Sequence, residues 1–363
     1  MRTALSVLLG IVVVFVLLVG CAAPASPSPA AAPGQPAQTP AAPAAGQQAP
    51  AAAQIKPMTL KFAHYFATVD FRHKTTEYWA KLVEKKSNGA IKVELYPSES
   101  LVKGLDGLAS TAAGVSDAYS TPTAYVGGPI PLVGYFDRLL PAYNDAQMLR
   151  IVKETKHILD PVFEKQGVKM LGAIITTGPA NFYGGLPIHT LEDMQGKKIR
   201  GAGGMTDASL KALGAAVTTL SAADIYMGLQ SRTVDGTVTT LMTATSQKLW
   251  EVAPYWNDAT ALRNPYFLIV NLETWKGAGP AAQNVFDEAT NETQKWMLQE
   301  WAGEEGKMAD QLTKQMKERY TPSQAELDRW RTKTGPVTDE WIAKAGPAAK
   351  EMIAIGEKII KGN

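Results

Sequence analysis

Hydrophobic and polar residues alternate along Met58-Thr59-Leu60-Lys61-Phe62-Ala63, which predicts a strand ending in the polar-aromatic turn His64-Tyr65-Phe66-Ala67-Thr68. From Phe71 to Ser87 the apolar spacing lengthens, and Tyr78, Leu82 and Val83 fall along one side of a predicted helix. Ile91-Lys92-Val93-Glu94-Leu95 alternates strictly and predicts a second strand. A short helix around Leu105 to Ala113 and the segment Asp117-Ala118-Tyr119 follow. Strand, helix and strand at these spacings indicate parallel βα units.

A second series starts at Val168-Lys169-Met170-Leu171-Gly172-Ala173-Ile174-Ile175. It continues through Lys197-Lys198-Ile199-Arg200, a helix from about Thr206 to Leu213, and Ala216-Val217-Thr218-Thr219-Leu220. Ser221 suits the N-cap of a helix over Ala222 to Gln230, with Asp224 in its first turn. Thr233-Val234-Asp235 predicts a closing strand. Beyond Ala278 the chain reads as mostly helical, with Val285, Ala289, Trp296 and Met297 on one stripe of a kind that packs into a core. Two βα series followed by C-terminal helices predict an α/β fold of two lobes with a cleft between them.

The first fifty residues follow other rules. Arg2 precedes an uncharged stretch from Ala4 to Gly20 that contains Ile11-Val12-Val13-Val14-Phe15-Val16-Leu17-Leu18, and the stretch ends at Cys21. A basic start, an apolar run and a small residue before the cut describe a secretory signal over residues 1–20. Leu18-Val19-Gly20-Cys21 resembles the bacterial lipobox, which implies that Cys21 is lipidated and becomes the mature N-terminus. An uncleaved membrane anchor is the competing reading, disfavoured because the chain's one cysteine falls at the cut. Residues 22–54 carry no charge and are rich in Ala and Pro, which predicts a disordered linker over 21–55.

Composition narrows the classes of function. The chain has 363 residues, 45% of them hydrophobic, enough for a sizeable core. Its 36 basic and 34 acidic side chains leave a formal charge of +2, which offers no footprint for nucleic acid. The histidines His64, His73, His157 and His189 show no metal-ligand spacing, and no nucleophile elbow or P-loop is present. Nothing in the pattern calls for a metal, a cofactor or catalysis. Arg200-Gly201-Ala202-Gly203-Gly204-Met205-Thr206 follows a strand and opens a helix, but Thr206 occupies the third glycine position of the dinucleotide fingerprint. The same stretch is suited to an anion: glycines let main-chain N–H groups come close, and an arginine at a strand's carboxyl end offers a planar fork to a carboxylate. Pattern alone leaves Arg200 divided between that role and an ordinary surface position.

Leu191-Glu192-Asp193-Met194-Gln195-Gly196-Lys197-Lys198-Ile199-Arg200, Ala212-Leu213-Gly214-Ala215, Tyr226-Met227-Gly228-Leu229-Gln230 and Val234-Asp235-Gly236 stand in a characteristic order. With Ser87 to Pro97 and Gln247 to Val252, they make the chain from about Leu60 to Lys361 resemble the substrate-binding subunit of a tripartite ATP-independent periplasmic (TRAP) transporter, the DctP type. The resemblance implies two α/β domains joined by crossing strands and a long hinge helix, closing on an organic acid. It implies that Arg200 forms the salt bridge to the ligand carboxylate, and that TRAP membrane subunits are the partner. On this basis residues 56–177 with about 265–305 form one lobe, and 178–264 with about 306–363 the other.

Departures from the family's pattern bear on the ligand. Many members carry Glu-Asn shortly after the Asp-Gly, where this chain has Thr237-Val238-Thr239, so Thr239 takes the asparagine position. Members of the sialic-acid type have a further arginine in the loop that here reads Thr177-Gly178-Pro179-Ala180-Asn181-Phe182-Tyr183. The resemblance therefore implies a ligand without a second carboxylate or a polyhydroxyl tail. Tyr65, Phe66, Phe71, Phe182 and Tyr183 fall in segments that face such a cleft, or equally pack the hinge and lobes; facing the cleft they suit an aromatic or short monocarboxylate. Thr121, Asn181 and Arg263 complete the candidate lining, Arg263 as a possible second anion contact. The expected function is extracytoplasmic solute capture on a lipid anchor. A binding protein of an ATP-driven importer, a sensor, and a lipid-anchored enzyme remain the alternatives.

Overall fold

The computed structural model describes residues 54–176 and 178–362. The leader, Cys21 and all but the end of the linker lie outside the described residues. No helix among the described residues is long and apolar enough to cross a membrane.

Two sheets carry the fold. The strands in chain order begin with β1 (Met58–Ala63), β2 (Ile91–Tyr96), β3 (Ala118–Pro122) and β4 (Val168–Thr176). Next come β5 (Ala180–Gly184), β6 (Lys198–Gly201), β7 (Ala216–Thr219) and β8 (Gly236–Thr240). The last are β9 (Tyr255–Leu262), β10 (Pro265–Asn271) and β11 (Glu318–Tyr320). One sheet has the order β2-β1-β3-β10-β4, the other β11-β9-β5-β8-β6-β7. The periodicity of 58–63, 91–95 and 168–175 thus marks real strands, whereas the strand expected at Thr233–Asp235 begins at Gly236. Asp235 instead ties the turn to β6: its main-chain N–H donates to the Lys198 carbonyl, and its carboxylate accepts from the Lys198 N–H.

Both sheets are mixed. β1 pairs in parallel with β2 and β3, and β6 with β7 and β8. β10 runs antiparallel between β3 and β4, and β5 antiparallel between β8 and β9. These two are crossing strands: the chain leaves the first sheet after Thr176 to enter β5, and returns after Leu262 to enter β10. A strand that arrives from the other sheet comes in from the far end, so it opposes its neighbours. β10 is buried at every position, Pro-Tyr-Phe-Leu-Ile-Val-Asn, as a central strand covered on both faces must be, and its proline stands first, where no ladder donor is lost.

Helix Leu272–Gln315 backs the crossing, with a break at Gly279, whose φ of 76° lies in the left-handed region. It buries Ala282, Val285, Phe286 and Ala289 against the first sheet, and its far end sets Leu312 in the same apolar cluster as Trp256 of β9. Trp296, on the predicted stripe, stacks on Tyr78 at 4.4 Å between centroids. A helix that packs on both sheets is the spine about which they are held. Phe71 meets Trp296 and Trp301 beneath this helix rather than the cleft.

The C-terminal segment divides. Helix Gln324–Ala345 places Trp330 edge-on to Phe182 of the second sheet, centroids 5.2 Å apart. Helix Pro347–Ile360 joins the first sheet's side, burying Ala349, Met352 and Ile359 with Met148 and Ile151. The expectation that about 306–363 belongs with the second lobe thus differs from the packing of this last helix. That helix is amphipathic on its own, and nothing local says which neighbour covers its apolar face.

Candidate functional site

The crossing connectors and the ends of β3, β6 and β8 surround a narrow cavity of about 40 Å³. Tyr65, Pro122, Tyr125 and Tyr266 line it from the first sheet's side. Arg200, Ala222, Val238 and Thr239 line it from the second, and Leu262 and Asn264 from the connector.

Arg200 stands at the carboxyl end of β6, two per cent exposed. Its Nε and Nη2 donate to the Leu220 carbonyl at 2.9 and 2.6 Å, and Nη1 to the Val238 carbonyl at 3.2 Å. Nη2 also reaches the Tyr125 hydroxyl at 3.3 Å. No carboxylate among the described residues forms an ion pair with it. Main-chain carbonyls therefore hold the fork in place without neutralising it, and an N–H of Nη1 is left over. A buried cation with no counter-charge is a costly arrangement unless an anion arrives to complete it. Burial raises the pKa of Tyr125, against the opposing field of Arg200, so its hydroxyl stays protonated beside the guanidinium.

The glycines before the helix Gly204–Ala212 work differently from the anion-cradle expectation. Asp207 of that helix takes the Gly203 N–H at 2.8 Å and the Thr219 hydroxyl at 2.5 Å. The protein thus supplies its own anion at that helix N-terminus. Gly203, at φ 103°, is needed for close approach: a Cβ there would stand 3.0 Å from the Ala124 carbonyl across the cleft. The same closeness recurs where Glu99 accepts from Ser221 at 2.9 Å and Tyr125 from the Ala222 N–H at 2.6 Å. The sheets stand closed on the cavity.

The other predicted residues divide. Thr239 and Tyr65 line the cavity with Arg200. Phe66 is turned into the wall, stacked on His64 at 4.7 Å and lying under the Arg72 guanidinium. Thr121 is fully buried in β3, its hydroxyl directed to the Pro122 carbonyl at 3.3 Å, and is not part of the lining. Asn181 sits opposite Thr239 on β5 and uses its carbonyl to accept from Thr260 N at 2.8 Å. Phe182 belongs to the core under Trp330, and Tyr183 stacks on Trp256 at 5.9 Å. Arg263 pairs with Asp145 at 2.7 Å and does not reach the cavity. Because Phe182 only packs, Phe182→Leu is expected to lower stability by about 1–2 kcal/mol while leaving ligand affinity unchanged. Urea unfolding and calorimetric titration on one preparation check both halves.

Tyr125, Tyr266 and Asn264 were missed. Tyr266 and Asn264 flank Pro265 in a stretch read only as a crossing, and Tyr125 follows a strand whose partners no local pattern reveals. Behind Asn264 lies Asp137, fully buried, accepting from the Thr123 hydroxyl at 2.5 Å and from Asn264 Nδ2 at 3.3 Å. Burial pushes its pKa up to about 7, with Asp207 adding to the rise and the two hydrogen bonds opposing it. Its folded pKa thus exceeds the unfolded value, so its contribution to stability is complete at low pH and is lost as pH rises through about 7. Asp137→Asn is expected to flatten that decline and gain of order 2 kcal/mol at pH 8, with the difference closing near pH 4. Denaturation midpoints across pH 4–8 are the readout.

The model of bacterial extracellular solute-binding protein family 7, DctP, matches residues 62–345. The chain belongs to this family. A solute-binding protein of Albidiferax ferrireducens is 33% identical over 201 residues, 53% of this chain and 59% of that relative. The chain thus aligns with rather more than half of that relative's length. Among solved structures, the sugar-acid-binding protein DctPAm of Advenella mimigardefordensis in complex with galactonate superposes with a TM-score of 0.78 at 21% identity, over 84% of this chain and 99% of that one. A TRAP periplasmic solute-binding protein of Desulfovibrio salexigens with bound orotic acid gives 0.77 at 21% identity, over 84% and 99%. Both likenesses establish the two-lobed fold.

Proposed function

We propose that this DctP-family receptor captures a small organic acid outside the membrane and delivers it to TRAP membrane subunits. The carrying observation is Arg200: a buried guanidinium held by carbonyls, without a carboxylate partner among the described residues, on the wall of a closed cavity. The ligand carboxylate takes the fork of Arg200, with Thr239, Tyr65, Tyr125, Tyr266 and Asn264 around the remainder of the molecule. Arg263 has no part in it, being matched to Asp145. The tyrosine walls favour a short or aromatic monocarboxylate, of the kind of the orotic acid held by one solved relative and unlike the polyhydroxylated galactonate of another. Opening and closing proceed about the crossing strands and the long helix.

The test is thermal unfolding of the purified full-length chain against a library of organic acids. A ligand at a hundred times its dissociation constant adds about 2.7 kcal/mol, a readily measured shift. Stabilisation by carboxylates, with sugars, amines and metal salts silent, supports the reading; the reverse pattern removes it.

We propose further that the signal over 1–20 is cleaved and that Cys21 is lipidated, holding the receptor at a membrane surface by its acyl chains. Labelled palmitate is expected to enter the wild-type protein in a bacterial host and not Cys21→Ser. Equal labelling of both would discard the anchor.

A further inference from the structure

Opposite Arg200 in the cavity wall, Tyr65 and Tyr266 meet hydroxyl to hydroxyl at 2.5 Å. Arg72, on helix Phe71–Lys86, donates from Nη1 to the Tyr266 oxygen at 3.1 Å. Arg72 is itself matched: its Nε and Nη2 reach the two oxygens of Asp70 at 2.8 and 2.6 Å, and Nη2 also donates to Thr243 at 2.9 Å. Asp70 is further held by Ser246 at 3.0 Å. The guanidinium thus anchors the pair without presenting its charge to the cavity.

The hydrogens can be counted. Two phenols carry two O–H groups, and a single O···O contact uses one of them. Arg72 has only N–H groups and cannot accept. No other acceptor for either hydroxyl is found among the described residues. Whichever tyrosine donates to the other, one O–H remains, on an oxygen in the wall of the cavity. A buried donor left unmatched is costly, so a site built this way discriminates against ligands that cannot accept from it.

We infer that the Tyr65–Tyr266 pair is the second recognition point of the site, and that the ligand is a monocarboxylate bearing an uncharged hydrogen-bond acceptor (a keto, lactam or hydroxyl oxygen) at the end away from Arg200. This rests on the assignment of Arg200 to the carboxylate. An alkyl end leaves the hydroxyl unpaired. A second carboxylate meets one neutral donor and a cation already matched by Asp70, too little to replace its hydration.

The count makes an unusual prediction about variants. In Tyr65→Phe the Tyr266 hydroxyl is released to point into the cavity, and in Tyr266→Phe the Tyr65 hydroxyl is released in turn. Each single variant keeps one donor; only Tyr65→Phe/Tyr266→Phe has none. Calorimetric titration of the full-length protein compares pentanoate with 4-oxopentanoate, hexanoate with 5-oxohexanoate, cyclohexanecarboxylate with 4-oxocyclohexanecarboxylate, and glutarate as the dicarboxylate. In the wild type the acceptor-bearing member of at least one pair is expected to bind roughly tenfold or more tightly than its partner, and glutarate more weakly than 4-oxopentanoate. Both single variants keep most of that preference and the double variant loses it. Wild-type pairs that bind equally, or glutarate binding best, overturn the inference while leaving Arg200 and solute capture intact, and this needs no variant to fold. A double variant that folds and keeps the preference also overturns it. Failure of every carboxylate to bind removes the anion reading together with this one.

Discussion

Arg200→Ala is expected to raise the dissociation constant for a carboxylate ligand by roughly thirty- to several-thousand-fold, the effect of truncating one member of a buried charge pair. The same substitution should hardly lower the melting temperature of the free protein. In the unliganded chain Arg200 contributes hydrogen bonds to the Leu220 and Val238 carbonyls, but it carries an unmatched charge in a closed interior. Removing it gives up the first and relieves the second. Arg200→Lys keeps a charge and loses the fork, so its affinity should fall between the two. Calorimetric titration and thermal unfolding, run together, separate affinity from stability. A large loss of stability in free Arg200→Ala, with affinity kept, makes the arginine structural and moves the carboxylate site elsewhere.

Asp70→Ala should give the largest loss of stability of any single change proposed for this protein. Asp70 is the N-cap of helix Phe71–Lys86, accepting from Arg72 N at 2.9 Å, and it is also the bidentate partner of the buried Arg72 side chain. Its removal leaves a guanidinium buried without a partner, about 3–5 kcal/mol, and an uncapped helix, about 1 kcal/mol more. Asp70→Asn/Arg72→Met, which keeps an amide oxygen at the cap and replaces the charge by an apolar chain, should recover most of that loss. The ion pair is then a device for holding Tyr266 and the helix rather than a source of net stability. The pH signature is opposite to that of Asp137. Burial alone would raise the Asp70 pKa, but the Arg72 charge and hydrogen bonds outweigh it and leave the pKa lowered. Its contribution is therefore present above the ordinary carboxylate range and disappears as pH falls through the folded value. Urea unfolding at pH 7 and at pH 3 tests this: the wild type should lose stability relative to the double variant at the lower pH.

Between them these two arginines show how far local pattern reaches. For Arg200 the strand and its carboxyl end were legible locally, but pattern alone left its role divided, and the family resemblance singled it out. Arg72 was not legible, since an arginine in the first turn of an amphipathic helix looks like any surface charge. Its partners Tyr266 and Thr243 lie far along the chain. Arg263 failed the other way. A cation beside a crossing strand invited a ligand role, but Asp145, from the start of helix Asp145–Glu154, neutralises it. No spacing rule joins residues so distant.

The aromatic residues make the same point by strand geometry. Asn181, Phe182 and Tyr183 were grouped because they follow one another, yet successive side chains in β5 leave opposite faces of the sheet. Phe182 goes to Trp330 and Tyr183 to Trp256, and the cavity is reached instead by Thr239 on the neighbouring strand. Which face of a strand meets the cleft depends on its neighbours, and β5 owes its neighbours to the crossing.

The order of strands and helices, the family and the placing of an arginine at a strand's carboxyl end were thus written in short stretches of this sequence, because periodicity, capping and strand-end chemistry act over a few residues. The composition of the cavity was decided by tertiary structure. Tyr125, Tyr266 and Asn264 meet Arg200 only when β10 inserts between β3 and β4 and the two sheets close. Long-range pairing, not local preference, selects those neighbours, and with them the tyrosines that line the cavity.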